Sequence, residues 1–145
     1  NRYLTQESQS DSLTPVTNCN GFFGTTCDPI SELTWSQRTT WTWRDLSASL
    51  QWRHTDSVRI EATERGATFP AFRSIDSYDY FDLYLGYSLF EDRLELSLAV
   101  NNLTEEEPPI LGNEAGDTSS NFGNTFPSNY DVYGRVWTLG ARMTL

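Results

Sequence analysis

Five segments of this chain alternate between two sets of side chains, one of them mostly apolar, and this alternation constrains the fold more than any other feature. In the clearest of them, residues 94–101, four apolar residues alternate with four that are polar or small. Period two indicates a β-strand whose two faces meet different surroundings. No segment shows a strong helical period. We predict strands over residues 33–43, 46–53, 78–89, 94–101 and 134–145.

The connections between these strands alternate between short and long. Arg44-Asp45 and residues 90–93 are short turns, whereas residues 55–74 and 102–133 are long polar loops with Gly and Pro, and another long segment precedes the first strand. Outer-membrane barrels have short periplasmic turns and longer extracellular loops. If the last strand ends in the periplasm, both short turns fall on that side and all the long loops fall outside.

The two faces of the predicted strands differ in charge. We expect the apolar faces to carry no Arg, Asp or Glu within the spans, since such a charge costs about 2–4 kcal/mol at the bilayer midplane. In a dry sandwich core the charges of the opposite faces would be buried without partners. We therefore expect five charged residues to face a water-filled lumen: Arg38, Arg53, Asp82, Glu95 and Arg142. A soluble β-sandwich with one solvated face per strand gives the same alternation and remains an alternative.

Composition excludes several other classes. The net charge is −10 and all ten basic residues are Arg, which argues against a nucleic-acid partner. Five Trp, seven Tyr and eight Phe argue against disorder. No stretch approaches the roughly 18–20 apolar residues of a spanning helix, but a spanning strand needs only about 9–11 residues, half of which can be polar.

The chain contains two cysteines, Cys19 and Cys27, in a short Gly-rich segment. This spacing favours a disulfide that closes a surface loop in an oxidising compartment, and the alternative is two unrelated free thiols. Zinc is disfavoured because His54 is the single His and no second Cys pair exists. We predict no metal site and no cofactor.

Five strands, with residues 1–7 as the end of a possible sixth, are too few for a closed barrel. Bacterial barrels close with eight or more strands, and an open sheet in lipid leaves edge amides unsatisfied. We therefore expect an all-β, antiparallel up-and-down sheet that forms the C-terminal five to six strands of a large transmembrane β-barrel. Residues 1–145 would be the C-terminal segment of a longer polypeptide.

Several short motifs then resemble one family. Residues 94–104, Leu-Glu-Leu-Ser-Leu-Ala-Val-Asn-Asn-Leu-Thr, resemble the penultimate strand of TonB-dependent outer-membrane receptors, and residues 124–127 and 130–135 resemble the approach to the last strand. The run from Cys19 to Cys27, followed by Trp35, resembles a disulfide-bearing outer loop of many members. The residues that carry the resemblance near the C-terminus are Asn101, Asn102, Leu103, Pro108, Pro109, Tyr130, Asp131, Gly134 and Arg135. The chain departs from the family by ending in Leu145 rather than in an aromatic residue.

The resemblance implies a receptor in the outer membrane of a Gram-negative bacterium, without enzymatic activity. Such a protein takes up a scarce small-molecule ligand, such as a ferric siderophore, and is driven through the TonB complex. Its partners would be outer-membrane lipid, the remainder of its own barrel and plug, and TonB through a part N-terminal to this sequence. The alternatives are a passive porin-like barrel and a soluble β-sandwich that binds carbohydrate.

Other acidic groups favour no catalytic or metal site. The run Glu105–Glu107 is more typical of a solvated loop than of a Ca²⁺ site, whose oxygens alternate around a tight turn. Asp76 with Asp79, or Asp82 with Glu95, would suit a glycosidase only within a defined cleft. We therefore predict no catalytic residues.

Overall fold

The computed structural model describes residues 7–8, 17–91, 93–112 and 124–144, and over these residues the protein is all-β. Strand accounts for 51% of these described residues, and one short 3₁₀-helix lies among them at Pro70–Phe72. The strands are β1 (Glu7–Ser8), β2 (Thr17–Asn18), β3 (Phe22–Phe23), β4 (Thr34–Trp43), β5 (Leu46–Thr55), β6 (Val58–Ile60), β7 (Ser74–Ile75), β8 (Tyr78–Leu89), β9 (Leu94–Asn101) and β10 (Val136–Met143).

No helix in the described part of the chain has both the length and the apolar character needed to cross a bilayer.

The five long strands form one sheet in the order β10-β9-β8-β5-β4. Their bounds lie within two residues of the predicted ones, and neighbouring strands are joined in antiparallel fashion. The prediction of an antiparallel up-and-down sheet is therefore confirmed. Over the described residues this sheet is not closed into a barrel, and β10 and β4 form its two edges.

The register brings like residues together across the strands. On β9, Leu98 lies opposite Leu139 of β10 and Leu85 of β8, whereas Glu95 lies opposite Arg142 and Ser88. Cross-strand neighbours share a face of the sheet, so the alternation of each strand adds up to one apolar face and one polar face. A slip of one residue would exchange the two faces of that strand.

The prediction that the apolar faces carry no charge within the spans is wrong at one position. Asp79, the second residue of β8, accepts a hydrogen bond of 2.6 Å from Nε1 of Trp52. Trp52 also stacks on Phe81 with ring centroids 5.8 Å apart, which places all three side chains on the apolar face. The carboxylate lies at a strand end, where the indole N–H supplies a hydrogen-bond donor for it.

The predicted sixth strand over residues 1–7 is not part of the five-stranded sheet where it can be described. Glu7 and Ser8 pair instead with Asn18 and Thr17 in a separate two-stranded sheet. Residues 1–6 lie outside the described part of the chain.

The chain divides into two compact units. We call the first the loop unit, which comprises the described residues of Asn1–Trp35, His54–Tyr78 and Glu107–Val132. We call the second the sheet unit, which comprises the described residues of Ser36–Arg53, Asp79–Glu106 and Tyr133–Leu145.

The loop unit has its own hydrophobic core, and residues 55–74, predicted as a long polar loop, contribute short strands to it. Within that segment β6 and β7 pair in antiparallel fashion, and β6 also pairs in parallel with β3. The buried residues of this core are Phe23, Val58, Ile60, Ile75, Leu111, Phe126 and Tyr130. A segment of two or three residues is too short to show a clear period, which is why the sequence pattern did not predict these strands.

The predicted disulfide between Cys19 and Cys27 is confirmed, and both cysteines are buried. The carboxylates of Glu61 and Glu64 accept hydrogen bonds from the backbone of the loop that the disulfide closes. Oε1 of Glu61 accepts the backbone N–H groups of Thr26 and Cys27 at 3.0 and 2.8 Å, and Oε1 of Glu64 accepts that of Thr25 at 2.7 Å. Charge-assisted hydrogen bonds of this kind are stronger than neutral ones.

Removal of the disulfide should destabilise the loop unit. For a loop this short, the chain-entropy model gives a loss of about 2–3 kcal/mol for the double variant Cys19→Ser/Cys27→Ser. The measurement is urea-induced unfolding, with amide hydrogen exchange over residues 21–30 reporting on the local effect. The oxidised protein treated with reductant should show the same loss, and the double variant should not respond to reductant. Equal stability of the oxidised and reduced proteins would contradict this role.

Phe23 should be the main anchor of the loop-unit core. Its side chain is 0% exposed, whereas that of its neighbour Phe22 is 37% exposed. Phe23→Ala should cost about 3–5 kcal/mol because it removes buried surface and leaves a cavity. Phe22→Ala serves as the matched control and should cost much less in the same unfolding measurement. Similar losses for the two variants would show that the core does not depend on Phe23.

Candidate functional site

The polar face of the five-stranded sheet is linked by side-chain hydrogen bonds. Nη2 of Arg38 donates a hydrogen bond to Oε1 of Gln51, with 2.5 Å between the two atoms. Nε2 of Gln51 in turn donates to Oγ of Ser36 at 3.1 Å. The hydroxyl of Thr40 donates to that of Ser49 at 3.1 Å. These bonds join β4 to β5 on the polar face, opposite the face that carries the tryptophans.

A charged pair links β5 to β8 on the same face. The guanidinium of Arg53 donates to both oxygens of Asp82, with Nε–Oδ2 at 2.9 Å and Nη2–Oδ1 at 3.3 Å. The same guanidinium lies 5.1 Å from the centre of the Tyr80 ring, within range of a cation–π interaction. Oδ1 of Asp82 also accepts the backbone N–H of Asn102 at 3.0 Å. Asp82 therefore joins two strands to the segment that follows β9.

The side chain of Asn102 stabilises a turn over residues 102–106, in the segment that follows β9. Its backbone has φ of 52°, in the left-handed region that Asn tolerates better than most residues, and its side chain is fully buried. Nδ2 donates to the carbonyl of Glu106 and Oδ1 accepts the N–H of Glu106, both at 2.8 Å. The N–H of Leu103 also reaches the carbonyl of Phe81 at 2.7 Å. The buried side chain of Asn102 thus bonds both backbone groups of Glu106, which lies outside the strands.

Arg135 connects this closed turn to the start of β10. Its Nη2 donates to Oε2 of Glu105 at 2.5 Å, and its Nη1 donates to the carbonyl of Leu103 at 3.4 Å. The preceding Gly134 has φ of 68°, a conformation that strains residues with a Cβ. We use the name strand-end node for the set formed by Arg53, Asp82, Asn102, Glu106 and Arg135.

The nine residues of the family resemblance divide between the two units. The sheet unit contains those at or beside the strand-end node, namely Asn101, Asn102, Leu103, Gly134 and Arg135. The loop unit contains Pro108, Pro109, Tyr130 and Asp131. Of these, Pro109 and Tyr130 are buried, and Tyr130 packs on Tyr78 with ring centroids 4.9 Å apart.

All five charged residues predicted for the lumen share the polar face. Arg53 is paired with Asp82, Arg38 is bonded to Gln51 of the same strand as Arg53, and Glu95 lies opposite Arg142 in the register of β9 and β10. Between Arg38 and Asp82 the face has a depression of about 270 Å³, also lined by Gln51, Tyr84 and Asn101. Each charge therefore lies among polar neighbours, as expected of a wetted surface.

Several of the acidic residues considered above take part in structural contacts. Glu105 pairs with Arg135, Glu106 is bonded through its backbone to Asn102, and Asp82 is held by Arg53. Among the residues that the structure describes, no group of three or more His, Cys, Asp and Glu is placed to hold a metal ion.

Sequence reasoning found the positions of the strand-end node but not their roles. The motif at residues 101–103 includes Asn102, but nothing in its sequence neighbours indicates that its amide is buried and bonded to Glu106. Tyr80 was missed, although its place two residues before Asp82 puts both on one face of β8.

Comparisons with protein-family models, with curated proteins and with solved structures find no match to this chain. The case for a function therefore depends on the geometry of the sheet and on the resemblance of the quoted residues.

Asn102 should be the most sensitive residue of the strand-end node. Asn102→Ala removes two hydrogen bonds made by a fully buried amide and leaves a non-glycine residue without that amide at positive φ, so we expect a loss of about 2–4 kcal/mol in unfolding free energy. Asn102→Gly relieves the backbone strain and should lose less. Asn101→Ala, at the exposed neighbouring position, should change stability by no more than about 0.5 kcal/mol. Equal effects at positions 101 and 102 would contradict the assignment.

Proposed function

We propose that this chain forms part of the wall and outer loops of a TonB-dependent receptor in the outer membrane of a Gram-negative bacterium. The protein would take up a scarce ligand, such as a ferric siderophore, with energy delivered through the TonB complex. In this proposal the apolar face of the five-stranded sheet contacts lipid and the polar face lines the lumen.

The observation that carries the proposal is the contrast between the two faces of one sheet. Arg53 and Asp82 satisfy each other on the polar face, while large apolar side chains on the other face remain exposed. Leu139 is 82% exposed and Trp137 is 61% exposed on β10. Soluble monomers rarely expose a contiguous apolar surface of this kind, and lipid removes its cost.

A soluble β-sandwich is disfavoured by the same exposure. In a sandwich a second sheet packs about 10 Å away and covers the apolar face of the first. Over the described residues the exposed members of the apolar face extend from β4 to β10, and they include Trp41, Leu50, Leu96, Leu139 and Met143.

The aromatic residues beside the β4–β5 turn support a membrane position. Trp41 and Trp43 stack with ring centroids 6.3 Å apart, and the guanidinium of Arg44 lies 4.9 Å from the Trp43 ring. Tryptophans gather at membrane interfaces because an apolar ring and a polar N–H suit the headgroup level, and Arg extends toward water there.

The choice between a receptor and a passive porin-like barrel depends on the strand-end node and the loop unit. The node contains Asn102 and Arg135 of the family resemblance, and the loop unit contains the disulfide-bearing segment from Cys19 to Cys27. A packed, disulfide-closed unit built from outer loops suits ligand capture more than free diffusion through a pore.

Lipid contact of one face can be tested with brominated lipid, which quenches tryptophan fluorescence on contact. One variant keeps Trp137 and replaces the other four tryptophans with Phe. Its matched control also carries Trp137→Phe and places the reporter on the polar face by Thr138→Trp. The reporters are placed in the whole receptor that the proposal implies, with tryptophans outside these 145 residues also replaced by Phe, and the protein is refolded into vesicles. Quenching of Trp137 should then exceed that of the residue-138 reporter by at least about twofold, because neighbouring strand residues face opposite sides.

Two results would contradict the proposal. Equal quenching of the two reporters would show that the sheet has no lipid-facing side. A chain that is folded and monomeric in buffer without detergent, with neither reporter quenched when vesicles are added, would indicate a soluble module.

A further inference from the structure

The loop unit contains the only Asn-Gly pair of the sequence, Asn20-Gly21, which directly follows Cys19. In such a pair the backbone nitrogen of the glycine can attack the side-chain carbonyl carbon of the asparagine, because the glycine has no Cβ to obstruct the approach. The product is a five-membered succinimide ring. An Asn-Gly pair is therefore a site of spontaneous chemical modification wherever the backbone around it is free to rotate.

The fold holds the peptide between Asn20 and Gly21 in one conformation. The N–H of Phe22 donates to the carbonyl of Cys19 at 3.1 Å, and Gly21 has φ of 80°, as the third residue of a type II turn requires. The N–H of Gly21 donates to the carbonyl of Ile30 at 2.7 Å. Ring closure requires this nitrogen to lose its proton and to turn toward the Asn20 side chain, so the native hydrogen bond opposes the reaction.

Burial and the disulfide add to this protection. Asn20 is 9% exposed, and its backbone N–H donates to Oδ1 of Asn18 at 3.0 Å. Removal of the Gly21 proton by a base and hydrolysis of the ring both need water, which reaches a buried site through local opening. The disulfide between Cys19 and Cys27 limits that opening because it closes the loop that contains the pair.

We propose that Asn20 is a latent deamidation site, which becomes reactive when the disulfide between Cys19 and Cys27 is reduced. This chemistry goes beyond the proposed receptor function and does not depend on it. In the first step a thiol reductant supplies two electrons and two protons, which convert the disulfide to two thiols while the reductant is oxidised to its own disulfide.

The second step modifies the asparagine. A base removes the Gly21 N–H proton, and the nitrogen forms a bond to Cγ of Asn20. The bond between Cγ and Nδ2 breaks, and Nδ2 takes up a proton and leaves as ammonia. Water then opens the ring at either of its two carbonyl carbons, which leaves an aspartyl or an isoaspartyl residue at this position.

Reoxidation of the thiols does not reverse the modification. An isoaspartyl residue adds a methylene to the backbone, which changes the spacing of the turn from Cys19 to Phe22. An aspartyl residue places a new carboxylate in the depression lined by Glu32 and Asp56, where Arg59 is the single cation among the described lining residues. Burial and the two like charges both disfavour that carboxylate. A chain that is reduced and then modified therefore keeps a weakened loop unit.

The test follows Asn20 in the full chain, either oxidised or treated with dithiothreitol, during incubation at mildly alkaline pH. Peptide mass spectrometry measures the fraction in which the amide has become a carboxylate, and isoaspartyl methyltransferase labels the isoaspartyl product. The chain-entropy model for a loop this short corresponds to a change of about 30- to 150-fold in the open population. We expect deamidation at Asn20 to be at least about tenfold faster after reduction.

Three controls separate the role of the disulfide from the general reactivity of the pair. The double variant Cys19→Ser/Cys27→Ser should react at the faster rate with or without dithiothreitol. Asn20→Gln keeps an amide but has to close a six-membered ring, which forms far more slowly, so it should give no product on the same time scale. A synthetic peptide of residues 20–24 supplies the rate of the unprotected pair.

Two results would overturn the proposal. An oxidised protein that reacts as fast as the peptide would show that the fold does not protect Asn20. Oxidised and reduced proteins that react at the same slow rate would show that the disulfide does not control access to the pair.

The consequence for the loop unit is measured by amide hydrogen exchange of the variant Asn20→Asp. The Gly21 amide should exchange at least about tenfold faster than in the unmodified protein. Thr63→Asp adds the same charge at an exposed position and should leave that exchange rate within about twofold. Equal exchange rates in the two variants would show that deamidation does not weaken the loop unit.

Discussion

Arg53 and Asp82 form an ion pair on one face of the five-stranded sheet, while Trp52 and Phe81, one position earlier on each strand, stack on the other face. Adjacent residues of β5 and β8 therefore need opposite surroundings. The ions need water or partners, and the rings need to leave water. The register of the whole sheet depends on keeping the two sets apart, because a slip of one residue would exchange them.

Strained backbone conformations lie at the ends of the strands. Arg44, Phe90 and Glu91 lie at the short turns with φ between 52° and 56°, a region that costs non-glycine residues of order 1–3 kcal/mol each. Such angles match the primed turns whose twist suits tight antiparallel hairpins. Where β9 ends, the buried amide of Asn102 satisfies the backbone through Glu106, and Asp82 connects that turn to the paired charges of β5 and β8.

The loop unit is stabilised in a different way. Its strands are two or three residues long, and such strands add little hydrogen bonding by themselves. A covalent bond between Cys19 and Cys27, the carboxylate of Glu61 on the backbone of that loop, and a compact core around Phe23 replace strand length. These contacts give the loop unit a buried core without the support of long strands.

The sequence by itself determined the five long strands, the division of their side chains into two faces, the disulfide and the positions of the node. Those features follow from periodicity within about ten residues or from adjacent motif residues, so neighbours along the chain are sufficient to reveal them. Tertiary structure alone decided three other features: the parallel pairing of β3 with β6, the hydrogen bond from the Trp52 N–H to Asp79, and the burial of Asn102. Each of these depends on side chains brought together from distant segments, and short-range alternation contains no information about which distant residue becomes the partner.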